Sequence, residues 1–70
     1  MVFYWYVLVN KKEKKVIVDG AEIENGTEIE NPERYLEQKH AGYKVHGSKI
    51  YGENNAVKSA IALSDKFGWS

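Results

Sequence analysis

The stretch Val2–Val9 reads Val-Phe-Tyr-Trp-Tyr-Val-Leu-Val and is the longest apolar run in the chain. Its β-branched and aromatic residues favour a strand, and eight residues are too few to cross a bilayer as a helix. Successive side chains of a strand point to opposite faces. The two faces here are Phe3, Trp5, Val7 and Val9 on one side and Val2, Tyr4, Tyr6 and Leu8 on the other. Because both faces are apolar, we expect a central strand that is paired at both edges and covered on both sides.

The composition bounds the class of protein. Seventy residues predict a single domain over residues 1–70 with a small core, which oligomerisation would help to stabilise. The chain has two histidines and no cysteine, which excludes disulfides and argues against a structural zinc site. We therefore predict no metal and no cofactor. The N-terminus lacks the basic region and the small-residue cleavage site of a signal peptide, which indicates a cytoplasmic, intracellular protein.

The net charge of zero conceals a strong segregation of charge along the chain. Residues 19–37 carry seven acidic residues against one arginine, a net charge of −6. The rest of the chain carries nine lysines against three acidic residues, a net charge of +6. The sequence therefore predicts an acidic middle segment between basic flanks.

Two hairpins are predicted in the first half of the chain. The polar insert Asn10–Lys15 has hairpin-loop length and separates Val2–Val9 from the β-branched run Val16–Val18. The near-copies Ala21–Glu24 and Thr27–Glu30 then flank Asn25-Gly26, a strong hairpin signal because both residues tolerate a positive φ. An irregular acidic loop with one short strand fits residues 21–30 equally well.

A further pair of strands is predicted after the middle of the chain. Tyr43–His46 alternates in polarity and Lys49–Tyr51 runs back, with Gly47-Ser48 suited to a two-residue turn that sets Val45 opposite Ile50. A β-bulge at Gly47 is the competing interpretation.

Two helices complete the expected fold. Asn31-Pro32 is a typical helix start, and the first helix is predicted over about 32–40, with Gly42 ending it. Apolar residues at helical spacing predict a longer C-terminal helix over about 55–67, with Gly68 and Trp69 forming a Schellman ending. The fold class is α+β: a small antiparallel sheet of four to five strands in the order β-β-(β)-α-β-β-α, with both helices largely on one face.

Signals of catalysis are weak. His46 and Ser48 lie close in sequence, but they lie in a lysine-rich stretch with no acid nearby to orient a nucleophile–base pair, so we interpret them as part of a turn. We therefore predict that the chain is not an enzyme.

The leading functional hypothesis is a small non-catalytic protein-binding module. Such proteins are typical of phage or mobile-element accessory factors, including inhibitors that occupy a host protein surface. The acidic segment 19–37 would supply the electrostatic contacts, and exposed tyrosines would form an interface or a homodimer through the sheet face. The candidate partner-binding residues are Glu22, Glu24, Glu28, Glu30, Glu33, Tyr4 and Tyr6.

The alternative hypothesis is a nucleic-acid-binding domain. The lysine hairpin 11–15 would contact phosphates, and a tyrosine on the sheet would stack on a base. The candidate residues are Lys11, Lys12, Lys14, Lys15, Lys44 and Lys49.

Overall fold

A computed structural model describes residues 2–23 and 32–69 of the chain, and side chains from Phe3 to Ala21 and from Pro32 to Trp69. The elements are β1 (Val2–Asn10), β2 (Lys15–Ile23), α1 (Pro32–Lys39), β3 (Lys44–Ile50) and α2 (Glu53–Phe67). The three strands form one antiparallel sheet in the order β2-β1-β3. The predicted α+β class is confirmed, and β1 is the central strand that the apolar run predicts.

The two helices lie on opposite faces of the sheet. Tyr6 and Leu8 pack against Leu36 of α1, whereas Val7 and Val9 lie on the other face, which α2 covers with its buried alanines. The expectation that both helices share one face is therefore wrong. The physical reason is that both faces of β1 are apolar, so each face needs a helix packed against it. The short helix α1 covers one face with its fully buried residue Leu36.

The β1–β2 hairpin is set by its turn. Asn10 is buried, and its side-chain oxygen accepts a hydrogen bond from the Glu13 N–H at 2.9 Å, while Lys14 adopts a left-handed φ of 56°. The strands then pair from Asn10–Lys15 to Val2–Ile23. The first half of the predicted acidic hairpin thus continues β2, and residues 24–31 lie outside the described part of the chain.

The predicted turn at Gly47-Ser48 is wrong, and the bulge interpretation is correct. β3 is one strand in which His46 pairs with Val7 and Ile50 pairs with Trp5, so three residues of β3 lie opposite Tyr6. Gly47 provides the required positive φ of 81°. The two extra residues preserve the alternation of side chains, so Val45 points to the α1 face and Ile50, five residues later, points to the α2 face. The described residues therefore form three strands rather than four or five.

The predicted helix bounds agree closely with those observed. α2 begins at Glu53, two residues before the predicted start, and ends at Phe67 as predicted. Gly68 is left-handed, and the N–H groups of Gly68 and Trp69 donate to the carbonyls of Asp65 and Ser64. These two bonds form the predicted Schellman ending.

Candidate functional site

A groove runs between β3 and α2 on the α2 face of the sheet. α2 packs mainly over β1 and β2, so the side of β3 that faces α2 is only partly covered. Lys44 and His46 pair with Val9 and Val7 and therefore point to this face. Two clefts lie along the groove and share His46 as a lining residue. We call the whole feature the β3–α2 groove.

The first cleft, which we call the serine cleft, has a volume of about 410 Å³. Apolar atoms of Val7, Ile50 and Leu63 line it, and the hydroxyl-bearing residues Ser48 and Ser59 enter from β3 and α2. Its remaining lining residues are His46, Gly47, Ala62 and Lys66. The cleft therefore combines an apolar interior with several hydrogen-bonding groups, the usual composition of a small-ligand site.

The second cleft, which we call the lysine cleft, has a volume of about 680 Å³. Lys11 and Lys12 of the hairpin turn and Lys44 of β3 converge on it, and Phe67 contributes an aromatic ring. Its remaining lining residues are Val9, Gly42, Val45 and His46. Neither cleft is lined by an aspartate or glutamate among the residues whose side chains are described, so the groove is cationic along its length.

Local backbone features place the groove residues. The Asn10 side chain fixes the hairpin turn that carries Lys11 and Lys12. A Cβ at Gly42 would lie 3.1 Å from the Asn10 amide nitrogen, so glycine lets the start of β3 approach the turn closely. At the other end of the groove, the bulge at Gly47 brings Ser48 into the serine cleft.

The structure brings together only part of the predicted nucleic-acid set. Lys11, Lys12 and Lys44 line the lysine cleft, whereas Lys14 and Lys15 are exposed and do not line it. Lys49 lies elsewhere, with its ammonium 4.5 Å from the centre of the Tyr4 ring.

Sequence reasoning missed His46, Ser59, Lys66 and Phe67 as lining residues of the groove. One pattern in the sequence could have indicated α2 as a wall of the groove. Ser59, Ala62 and Lys66 recur at helical spacing and lie side by side along one flank of the apolar stripe of α2.

The predicted tyrosines lie in a second cluster on the α1 face. Tyr6 is only 3% exposed, so the expectation of an exposed Tyr6 is wrong; Leu36 of α1 covers it. Burial, reinforced by the negative charge of Glu33, raises the pKa of Tyr6. Tyr4 is half-buried and meets the Tyr51 ring edge-on at 5.4 Å. The side chain of Tyr6 is therefore part of the core rather than of a surface that a partner could contact.

The predicted acidic contacts are described at one residue only. Glu33 is exposed in the first turn of α1. The side chain of Glu22 and the whole of Glu24, Glu28 and Glu30 lie outside the described residues. The acidic-surface hypothesis stays a prediction.

A polar cluster joins the end of α1 to β2. The Asp19 carboxylate accepts a hydrogen bond from His40 Nε2 at 2.6 Å and one from the Gly20 N–H at 2.7 Å, and it lies 3.3 Å from Lys39 Nζ. Burial by itself would raise the pKa of Asp19, but the hydrogen bonds from His40, Gly20 and Lys39 outweigh it and lower the pKa. The cluster fastens α1 over the Tyr6 and Leu8 face.

Catalytic and metal chemistry find little support in the described geometry. His46 and Ser48 line the same cleft, but no described carboxylate lines it to orient the imidazole. Among the side chains that the structure describes, no three carboxylates or histidines form a group that could hold a metal ion. Over the same residues, no helix is long and apolar enough to cross a membrane.

In comparisons with known proteins, no family model, no curated protein and no solved structure matches the chain. The functional interpretation therefore depends on the geometry of the groove.

Proposed function

We propose that this chain is a non-catalytic nucleic-acid-binding module that holds a phosphate backbone along the β3–α2 groove. One observation carries the proposal: Lys11, Lys12, Lys44 and Lys66 come from three separate elements and line two clefts that share His46 and that no described carboxylate lines. Phosphate oxygens bind to lysine ammonium groups, and the release of counterions adds to the affinity.

The convergence of the lysines distinguishes this groove from a solubilising hairpin tip. Lysines at an exposed hairpin end commonly serve only to prevent edge pairing. Here Lys44 lies on an adjacent strand and Lys66 in the last turn of α2, and both point toward the same groove as the turn lysines. The described acidic contacts of Asp19 and Glu37 lie with α1, where Glu37 accepts a hydrogen bond from the Val45 N–H at 2.9 Å.

Charge reversal tests the proposal directly. The double variant Lys12→Glu, Lys44→Glu should lower the affinity for a fluorescent oligonucleotide by at least about tenfold at low salt, because it replaces two phosphate contacts with repulsion. The plot of the logarithm of the binding constant against the logarithm of the salt concentration should become less steep, by roughly 0.7 to 0.9 for each lost contact. Fluorescence anisotropy at several salt concentrations measures both quantities.

Lys58 offers a matched control. It is exposed on α2 but does not line the groove, so Lys58→Glu makes on another surface the same charge change as each single groove reversal, Lys12→Glu or Lys44→Glu. If Lys58→Glu weakens binding as much as either groove reversal, the attraction is a general charge effect and the groove is not the site. If the unaltered protein binds no oligonucleotide at low salt, the proposed function itself fails.

A protein partner is the second candidate, and a specific observation favours it. Val57 and Ile61 are exposed on the flank of α2 opposite the groove, and Ile61 is 58% exposed. Phe3 is also exposed on this face of the sheet. Exposed apolar side chains next to β2, an edge strand of the sheet among the described residues, suit a protein interface. The inhibitor hypothesis, with its acidic contacts, belongs to this candidate.

A further inference from the structure

The two clefts of the groove differ in chemistry. The lysine cleft presents three ammonium groups, which suit phosphates. The serine cleft presents the apolar side chains of Val7, Ile50 and Leu63, which contribute nothing to phosphate binding. Its polar groups are two hydroxyls, an imidazole and one ammonium. A ligand that satisfies both clefts carries an apolar body with a polar edge as well as charged phosphates.

We infer that the serine cleft takes an unpaired nucleobase, so that the ligand of the groove is a single-stranded nucleic acid. This inference rests on the proposed function. A base has apolar faces for the partly exposed side chains of Ile50 and Leu63. Its edge carries donors and acceptors, which the hydroxyls of Ser48 and Ser59 match because a hydroxyl both donates and accepts. In a duplex the bases are stacked and paired, so none can enter the cleft without being extruded at a cost.

The charges around the serine cleft agree with this assignment. Lys66 lines the serine cleft itself, and Lys44 lies beyond the shared His46 in the lysine cleft. A base inserted between them places its two flanking phosphates toward one lysine each. Phe67 lines the adjoining lysine cleft, where its ring offers a stacking surface for the next base along the strand.

Filling the cleft tests the inference. Ala62 lines the serine cleft from an exposed position of α2, so Ala62→Phe occupies the space of the base without changing a charge. The variant should bind a 12-nucleotide single strand at least about fivefold more weakly, the lower end of what one lost base contact costs. Its affinity for an abasic backbone of the same length should be unchanged. Ile61→Phe, one residue away on the opposite flank, is the matched control and should bind both ligands normally.

The unaltered protein supplies a test that needs no folded variant. It should bind single-stranded DNA or RNA at least about fivefold more tightly than the abasic backbone and than the matching duplex. Separate DNA and RNA strands show which sugar the groove accepts. Equal affinity for single strand, duplex and abasic backbone would overturn the base-insertion inference and leave the proposed function standing. If no oligonucleotide binds at low salt, the proposed function and this inference both fail.

Discussion

Truncation of Leu36 tests the packing that separates the two faces of the sheet. Leu36 is the buried residue of α1 and is fully buried against Tyr6 and Leu8. A Leu→Ala change at such a site removes the transfer free energy of the lost carbons and leaves a cavity, about 2–5 kcal/mol in total. A helix of eight residues has no independent stability that would compensate for the loss.

The expected loss is large relative to the whole. A chain of 70 residues has a free energy of unfolding of about 3.5–10 kcal/mol. A loss of about 3 kcal/mol from Leu36→Ala would therefore remove about 30% or more of the stability. Urea denaturation, followed by tryptophan fluorescence, measures the change as a shift in the midpoint of unfolding.

Two control variants isolate the effect of the buried side chain. Tyr35 is adjacent in α1 and 45% exposed, so Tyr35→Ala should cost less than about 1 kcal/mol. Leu36→Met keeps the volume and should cost less than about 1.5 kcal/mol. A loss of under about 1 kcal/mol for Leu36→Ala would refute the conclusion that α1 covers the Tyr6 and Leu8 face.

Two further predictions concern the polar cluster and the apolar flank of α2. At pH 7, Asp19→Asn should lower the free energy of unfolding by about 1 kcal/mol, because the bonds to His40 and Gly20 lose their charged acceptor. The pKa of Asp19 is lower in the folded than in the unfolded protein, so its stabilising contribution is present above the unfolded pKa near 4 and is lost as the pH falls through the folded pKa. The urea midpoints of the variant and the unaltered protein should therefore converge below about pH 4. A gap between the midpoints that stays constant with pH would contradict this. If a protein partner binds the exposed flank of α2, Ile61→Lys should abolish capture of that partner from a lysate of the source cell, whereas Lys58→Glu should leave capture intact. Equal capture by both variants would show that the flank is not the binding surface.

The central strand and the helices follow from the sequence because their signals are local. An apolar run on both faces predicts a central, doubly covered β1, and the Asn-Pro, Gly42 and Gly68 signals bound the helices within two residues. The Schellman ending is likewise set by adjacent residues.

The bulge in β3 could not be predicted because the local sequence permits two outcomes. Gly47-Ser48 suits a two-residue turn as well as a bulge, since both use a glycine with a positive φ. The prediction of a turn assumes that Val45 and Ile50 face a single core. Since α1 and α2 cover opposite faces, each residue finds apolar neighbours on its own side, and the assumption does not hold.

The groove could not be predicted because it depends on contacts between elements distant in sequence. Lys11, Lys44 and Lys66 are separated by more than twenty residues at each step. They converge only because β3 pairs with β1, and because α2 returns along β3 with its C-terminal turn beside the β1–β2 hairpin.

The position of α2 on the sheet accounts for the groove in physical terms. Ala56 and Ala60 are buried, and small side chains let a helix lie close to a sheet. α2 packs with them over β1 and β2 rather than over β3. The α2 face of the edge strand β3 is consequently left between the helix and solvent. On that face β3 presents the polar residues Lys44 and His46 beside the lysine cleft and the half-buried Ile50 beside the serine cleft. The arrangement therefore gathers positive charge at the Lys44 end of the strand and leaves an apolar side chain at the other end.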